Sequence, residues 1–456
     1  MTIHDERLGR RHFLATAAPL AAGVLGAVRT SDRTQAADRA AGAGMTTQAV
    51  AGKTLEQLRA SYRQELFDVV VPFWMRHGVD REHGGFLCGL DYDGSLVHTE
   101  KFHWFQGRGM WVFSYLYNHL QQDPQYLDIA RGTRDFMLRH ARQPNGRWAE
   151  RFSRDGRILQ PFRGDIGGQL FLAEGLQEYA WAARDDEARE LAFNLLKSAF
   201  RERSRREPPP DQDPRRRQGF SMVCVQTATQ MLRRWNDPEI AEIAEASVDA
   251  VIRHHYNPDI GLNTEHLAHD FSRPPAEATI CVLGHSIETL WMILDEARRR
   301  KDQRLEATCV ERIRRHLDAG WDHVYGGLTH AVNVDHPTYA WPPERPAGTS
   351  LEFHFTGEFK YMKTTWSLDE VLIAMMRVLD ANDEAWATRY FSLAQAALDT
   401  WHSRRSHGQP AGYLLFSDRR HTPQPHVTRQ DNYHHLRALM LCLQSIDRMT
   451  RRAVSA

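Results

Sequence analysis

The strongest constraint on this chain's fold is a helical hydrophobic period that sets in near residue 54 and recurs almost to the end. It is carried by segments 54–77, 105–122, 125–142, 165–183, 186–204, 220–235, 239–256, 281–299, 302–319, 364–381, 384–403 and 429–449, about twelve in all. Turns such as "QQDPQ", "ARDDE", "NDPE" and "DANDE" join them in pairs. Strand-like alternation is confined to "GGFLCGLDYDG" and "YGGLTHAVNVD". Twelve hairpin-paired helices without a parallel sheet predict an all-α toroid over residues 51–456. The arrangement expected is an (α/α)6 barrel, an inner ring of helices inside an outer one, with short β-ribbons in the rim loops. An open α-solenoid would need a repeat of fixed length, and none is present. One echo does occur: "HGGFLCGLDYDG" (83–94) resembles "YGGLTHAVNVDH" (325–336), and in each a Gly-Gly pair permits a tight turn.

Composition narrows the function. With 58 basic and 58 acidic residues the formal net charge is zero, which gives no support to nucleic-acid or membrane-surface binding. Cys88, Cys224, Cys281, Cys309 and Cys442 are scattered and lack a CxxC pair, so neither a disulfide framework nor a zinc ribbon is expected. There is no HExxH, EF-hand loop, GxxxxGK[ST], convincing GxGxxG or GxSxG, so no metal or cofactor is expected. Ahead of the barrel, Arg10-Arg11 precede Phe13-Leu14 and an Ala- and Gly-rich run too short to span a membrane well. Residues 1–50 thus read as a twin-arginine-type signal and linker, with "TQAA" near Ala36 as a processing site. The expectation is export to the periplasm with no membrane attachment after processing; a chain whose signal is not used would stay cytoplasmic. "RERSRREPPPDQDPRRRQG" (201–219), with Pro208-Pro209-Pro210, reads as a solvated loop.

"LGHSIETLW" (283–291) puts His285, Glu288 and Trp291 on one helical stripe, while Leu283, Ile287, Leu290 and Leu294 form another. A carboxylate three residues on is placed to orient the imidazole or raise its proton affinity. "KFHWFQGRGMW" sets Arg108 between Trp104 and Trp111, suited to gripping polyol oxygens or a developing anion, and equally to an ion pair across a helix junction. "DNYHHLRALM" offers His434 and, about a turn later, Arg437. His435 points roughly 100° away from His434, so the two should not share a role.

With these motifs on the page, the chain resembles the N-acylglucosamine 2-epimerase superfamily, which includes cellobiose 2-epimerases and mannose isomerases. The carriers are "FWMRHGVDREHGGFLCGLDYDG" (73–94), "FQGRGMWVFSYLY" (105–117), "LAEGLQEYA" (172–180), "GHSIETLWMIL" (284–294), "KTTWSLDEVL" (363–372) and "NYHHLRALM" (432–440), all in the family's order. The resemblance implies an (α/α)6 barrel with His285 and His434 facing each other across a central pocket. It also implies Glu288 as acidic partner, Arg108 as substrate-gripping arginine, Trp366 and Trp104 as aromatics against sugar, and Glu370 and Arg437 as further substrate-binding positions. Three departures bear on the substrate. Thr365 stands where many members have an aromatic, and His435 where cellobiose epimerases usually have Asn. "SMVCVQTATQML" also lacks the extra pocket histidine of some members.

The activity so implied is proton transfer at C2 of an open-chain aldose through an enediolate, without metal or redox cofactor, on a mono- or disaccharide. The chain is expected to form a homodimer. Returning the proton to C2 gives an epimer, and returning it to C1 gives a ketose, so aldose–ketose isomerisation is the alternative. A glycoside hydrolase or lyase on the same barrel would want a carboxylate pair, for which Asp91, Asp93, Glu265 and Asp270 are available. A non-catalytic sugar-binding protein is the third class.

Overall fold

The structure, a computed structural model, describes residues 49–205, 207, 213–275, 277–334, 363–381, 384–404 and 426–455. The signal and linker, most of the Pro-rich insert and part of the second Gly-Gly echo lie outside these residues.

Twelve long helical segments occur among the described residues, close to the segments the periodicity marks. The first, α1 (Leu55–Gln64), is closed by a capping box between Thr54 and Gln57. It continues through a π-helical stretch, Glu65–Val70, and a short α-turn to a second π stretch, Trp74–Gly78. Then follow α2 (His103–His119), α3 (Pro124–His140), α4 (Ile166–Ala183), α5 (Asp186–Arg203), α6 (Gln218–Leu232) and α7 (Pro238–Asp249). The rest are α8 (Leu283–Arg300), α9 (Gln303–Gly320), α10 (Thr365–Leu379), α11 (Ala385–Arg404) and α12 (His434–Ser455). Asp residues cap several outer helices: Asp123 before α3, Asp185 before α5, Asp237 before α7 and Asp302 before α9. These are the polar turns that punctuate the sequence.

The even-numbered helices form the inner ring. α2 packs on α4, α4 on α6, α6 on α8, α8 on α10, α10 on α12, and α12 closes back on α2. Their buried faces extend all round, as a helix enclosed on every side requires; Phe105 to Leu116 of α2 is buried without a break. Outer helices show one buried stripe, such as Cys309, Ile313, His316, Leu317 and Gly320 of α9. The α2–α4 contact is close because neither side has a side chain there: a Cβ on Gly107 would stand 2.4 Å from the Phe171 carbonyl, and one on Gly175 would stand 2.5 Å from the Gly107 carbonyl. Among the described residues no helix is long and apolar enough to cross a membrane.

The ribbons differ from expectation. "GGFLCGLDYDG" forms only isolated bridges, Val79 to Phe86 and Leu90 to Leu96. True pairs flank the starts of inner helices: β1 (Lys101–Phe102), β2 (Arg151–Phe152) and β3 (Ile158–Gln160) make one sheet, and β4 (Arg216–Arg217) pairs with β7 (His266–Leu267). β5 (Tyr256–Asn257) pairs with β6 (Leu262–Asn263), and β8 (Ile280–Val282) with β9 (Ala331–Asn333). The Gly-Gly echo is a shared turn. In the first copy Asp80 receives the N–H groups of Glu82 and His83, the glycines turn at φ +80° and +79°, and Lys101 bonds the Gly84 carbonyl and Asp80. In the second, Asp322 receives Val324 and Tyr325, the glycines turn at φ 79° and 82°, and Lys363 bonds Gly326 and Asp322. Each lysine, two residues before an inner helix, thereby ties a rim turn to the start of that helix and holds its N-terminus at the rim.

Candidate active site

Because inner helices alternate with antiparallel outer ones, all six begin at one rim. Side chains in their first turns therefore converge: His285 on α8, Trp366 on α10 and His434 as the first residue of α12, with Arg108 one turn further along α2. The indole of Trp366 packs against both imidazoles, with ring centroids 5.2 Å from that of His285 and 5.6 Å from that of His434. Trp366 can stand there because α8 has no side chain at Gly284; a Cβ would approach the indole to 2.5 Å.

Each imidazole is held by a carboxylate at Nδ1. For His285 it is Glu265, at 3.1 Å. Glu265 is itself fixed by its backbone, its N–H on the Ile280 carbonyl and its C=O receiving the Gln218 N–H that opens α6. For His434 it is Asp431, whose second oxygen receives the Tyr433 N–H at 3.0 Å and so shapes the turn into α12. An ionised carboxylate only accepts, so both rings carry their proton at Nδ1 and direct Nε2 away from that partner. Burial disfavours a charged His285, but Glu265 and Glu288 outweigh it and lift the imidazole above its ordinary pKa. Burial likewise opposes ionisation of Asp431, yet His434 and the arginines hold it down at about 2. His330 stands edge-on to Trp366, centroids 6.0 Å apart, and burial pushes it down to about 4.

Arg108 is pressed between aromatic faces: its guanidinium carbon is 4.2 Å from the centroid of Phe171, 5.0 Å from Tyr433 and 5.1 Å from Trp104. Among the described residues it forms no hydrogen bond or ion pair, and its Nε is buried and unbonded. The ion pair across a helix junction is thus not what it makes. A cation oriented by π-faces, with its N–H groups uncommitted, suits an incoming anionic or hydroxylated ligand.

Three expectations are corrected. Glu265, not Glu288, hydrogen-bonds and orients His285, while Glu288 does help to raise its proton affinity. Glu288 faces His434, 4.0 Å from its Nε2, and hydrogen-bonds Arg437. A helical spacing of three places two side chains on one stripe but does not decide which of them finds the other. Glu370 and Arg437, expected to touch substrate, are fully buried beneath the site. Arg437 Nη2 donates to both Glu288 and Glu370, at 2.6 Å for Glu370, and Trp291 Nε1 donates to Glu370 at 2.7 Å. Burial, with Glu288 close by, pushes Glu370 up to about 8 despite Arg437. Burial also works against Glu288, but Arg437 and His434 keep it below its ordinary value. Glu288, Glu370 and His434 bring ligand-type atoms within 4.8 Å of one another, yet the Arg437 guanidinium already bonds both carboxylates, so a metal ion would have to displace a buried cation. His435 turns away, as its position predicts, to Asp369 at 2.8 Å and Glu65 at 3.0 Å.

Sequence reasoning missed Asp431, Glu174 and Tyr433, and weighed Glu265 only as a hydrolytic acid. Asp431 was visible in principle, three residues before His434 in "DNYHH". Glu265 was not, since only the β4–β7 and β8–β9 pairings bring it to α8.

Helix-ringed barrel and paired, carboxylate-anchored imidazoles together define an (α/α)6 fold with acid–base groups at one rim. The fold matches a cellobiose 2-epimerase from Bacillus thermoamylovorans B4167 with a TM-score of 0.70 at 15% identity, over 86% of this chain and 100% of the other. It matches a D-mannose isomerase with a TM-score of 0.69 at 13% identity, over 86% and 98%. The N-acylglucosamine 2-epimerase of Mus musculus is 26% identical over 388 residues, 79% of this chain and 85% of its own. Residues 84–438 match the N-acylglucosamine 2-epimerase (GlcNAc 2-epimerase) family, and the chain belongs to that family.

Proposed function

We propose that the protein is a sugar 2-epimerase that moves a proton at C2 of an open-chain aldose through an enediolate. The observation carrying this reading is the pair His285 and His434, both packed against Trp366 and each anchored at Nδ1 so that Nε2 is the reacting nitrogen. One Nε2 removes the C2 proton and the other, as imidazolium, returns one to the opposite face. Glu265 and Asp431 stabilise the imidazolium that forms, a contribution of about 10²–10⁴-fold for well-placed acid–base groups. Arg108 receives the enediolate oxygen, and Trp104 lines the rim beside it. The six inner-helix N-termini add favourable potential for an anion. Hydrolysis is disfavoured because Glu265 and Asp431, the carboxylates beside the imidazoles, are committed to them. The substrate is a mono- or disaccharide. Arg10-Arg11 supports export by the twin-arginine route.

The same two imidazoles would give a ketose if the proton returned to C1. Incubation with mannose, cellobiose and N-acetylmannosamine in deuterated water, followed by NMR, separates the outcomes. Deuterium at C2 of an epimer supports epimerisation and a ketose replaces it by isomerisation. No exchange with any aldose, or new reducing ends from an oligosaccharide, overturns both.

A further inference from the structure

Several buried acids take no part in the mechanism, and one of them lies against the site. Glu174, on α4 in the inner ring, is fully buried and bonds no cation. Both its oxygens receive the phenol of Tyr433 at 2.9 Å, and one receives Gln230 Nε2 at 3.2 Å. Burying a carboxylate against a phenol and an amide is costly, and an apolar side chain of similar size would pack there without that cost. What the carboxylate does is hold Tyr433. That phenol oxygen in turn receives Arg437 Nη1 at 3.0 Å, while the same guanidinium's Nη2 reaches Glu288. The Tyr433 ring also lies 5.4 Å from His434 and 5.0 Å from the Arg108 guanidinium.

We propose that Glu174 is a positioning residue: through the Tyr433 phenol it fixes the Arg437 guanidinium, and with it Glu288, beneath His434, and keeps the aromatic face on which Arg108 rests. This rests on the proposed acid–base role of His434. The groups facing Glu174 are Arg437 and Tyr433 from α12, Arg108 from α2 and Gln230 from α6, with Glu288 of α8 acting on the same phenol. Burial lifts Glu174 to about 7, so its charge changes within the working range and any pH dependence it confers falls near neutrality.

The test uses Glu174→Gln, Tyr433→Phe and the double variant in the full chain, assayed for deuterium exchange at C2 of the active sugar across pH. Each single variant should lose about 10-fold or more in kcat with KM little changed, because a tether acting in the transition state is lost. The double variant should be no worse than the poorer single, since both cut one chain of bonds. In Glu174→Gln any inflection near neutral pH beyond the acid limb set by His285 should also disappear. Wild-type kcat in either single variant, additive losses in the double, or a change in KM alone overturns the proposal. Should Glu174→Gln fail to fold, Tyr433→Phe, which keeps the ring and removes only the hydroxyl, decides. Ring resonances of His434 provide a readout without turnover: they should move in each folded variant. Unmoved resonances overturn the positioning role, whereas a wild-type protein without C2 exchange overturns the function instead.

Discussion

Replacing Glu265 by Gln isolates the feature that separates this site from a generic histidine pair. The carboxylate accepts from His285 Nδ1 at 3.1 Å, and the two side chains are 7% and 21% exposed, so solvent screens the pair only in part. A hydrogen bond to a charged group in such a place contributes about 1.5–3 kcal/mol, equivalent to about 10–150-fold in rate if it acts only in the transition state. Gln does further damage, because its amide can donate to Nδ1 and so favour the tautomer protonated at Nε2, which cannot act as base. Loss of kcat should therefore fall between about 10² and 10⁴-fold, with KM nearly unchanged. The pH dependence has a definite sign. Despite burial, Glu265 raises the pKa of His285, so the wild-type enzyme needs a higher pH to generate the neutral base. Without the carboxylate the acid limb of kcat/KM should move to lower pH. The assay is C2 deuterium exchange from pH 5 to 9, with Glu288→Gln as the control. A loss under about fivefold, or an acid limb shifted by Glu288→Gln and not by Glu265→Gln, would refute the assignment.

Other perturbations test separate parts of the site and scaffold. Arg108→Lys keeps the charge but loses the flat guanidinium, and should cut kcat/KM by about 10²–10³-fold, the scale of one lost oxyanion contact. Its melting temperature should barely change, since Arg108 breaks no ion pair on removal; a large drop would mean a structural role. Gly284→Ala would drive a methyl into the Trp366 indole, with 2.5 Å between them, and should abolish C2 exchange in a protein that still folds. Wild-type exchange would show that the indole's place against the imidazoles is dispensable. At the far end of the barrel Glu178 is buried, which alone would raise its pKa, but Arg234 and His119 bring it down to about 2. Its stabilisation, about 3 kcal/mol, is present above the unfolded-state pKa and lost as pH falls through about 2. Urea titrations should show Glu178→Gln less stable at pH 7 with the difference vanishing in strong acid; a pH-independent difference would exclude the linkage.

Local patterning and medium-range tertiary geometry divided the information unequally. The twelve helices were legible because their hydrophobic residues recur at the helical period and Asp-containing turns punctuate them, whereas which helices face inward was not read from the sequence. His285, His434 and Arg108 were legible from the motifs that carry them and from the family those motifs resemble. The start of α12 was placed five residues too early, at 429 against His434, because Asp431 ends the preceding turn by bonding Tyr433 and His434.

What the amino-acid order settled by itself was the layered all-helical ring and the presence of imidazoles near the starts of its inner helices, since both follow from contacts within three or four residues. The partners were decided in three dimensions. Glu265 reaches His285 only through ribbon pairing at the rim, Glu288 turns to Arg437 and His434 although it shares a stripe with His285, and Glu174 meets Tyr433 across 259 residues. Such pairings depend on how helices from distant parts of the chain are rotated and staggered in the closed ring, and periodicity within one helix carries no record of that.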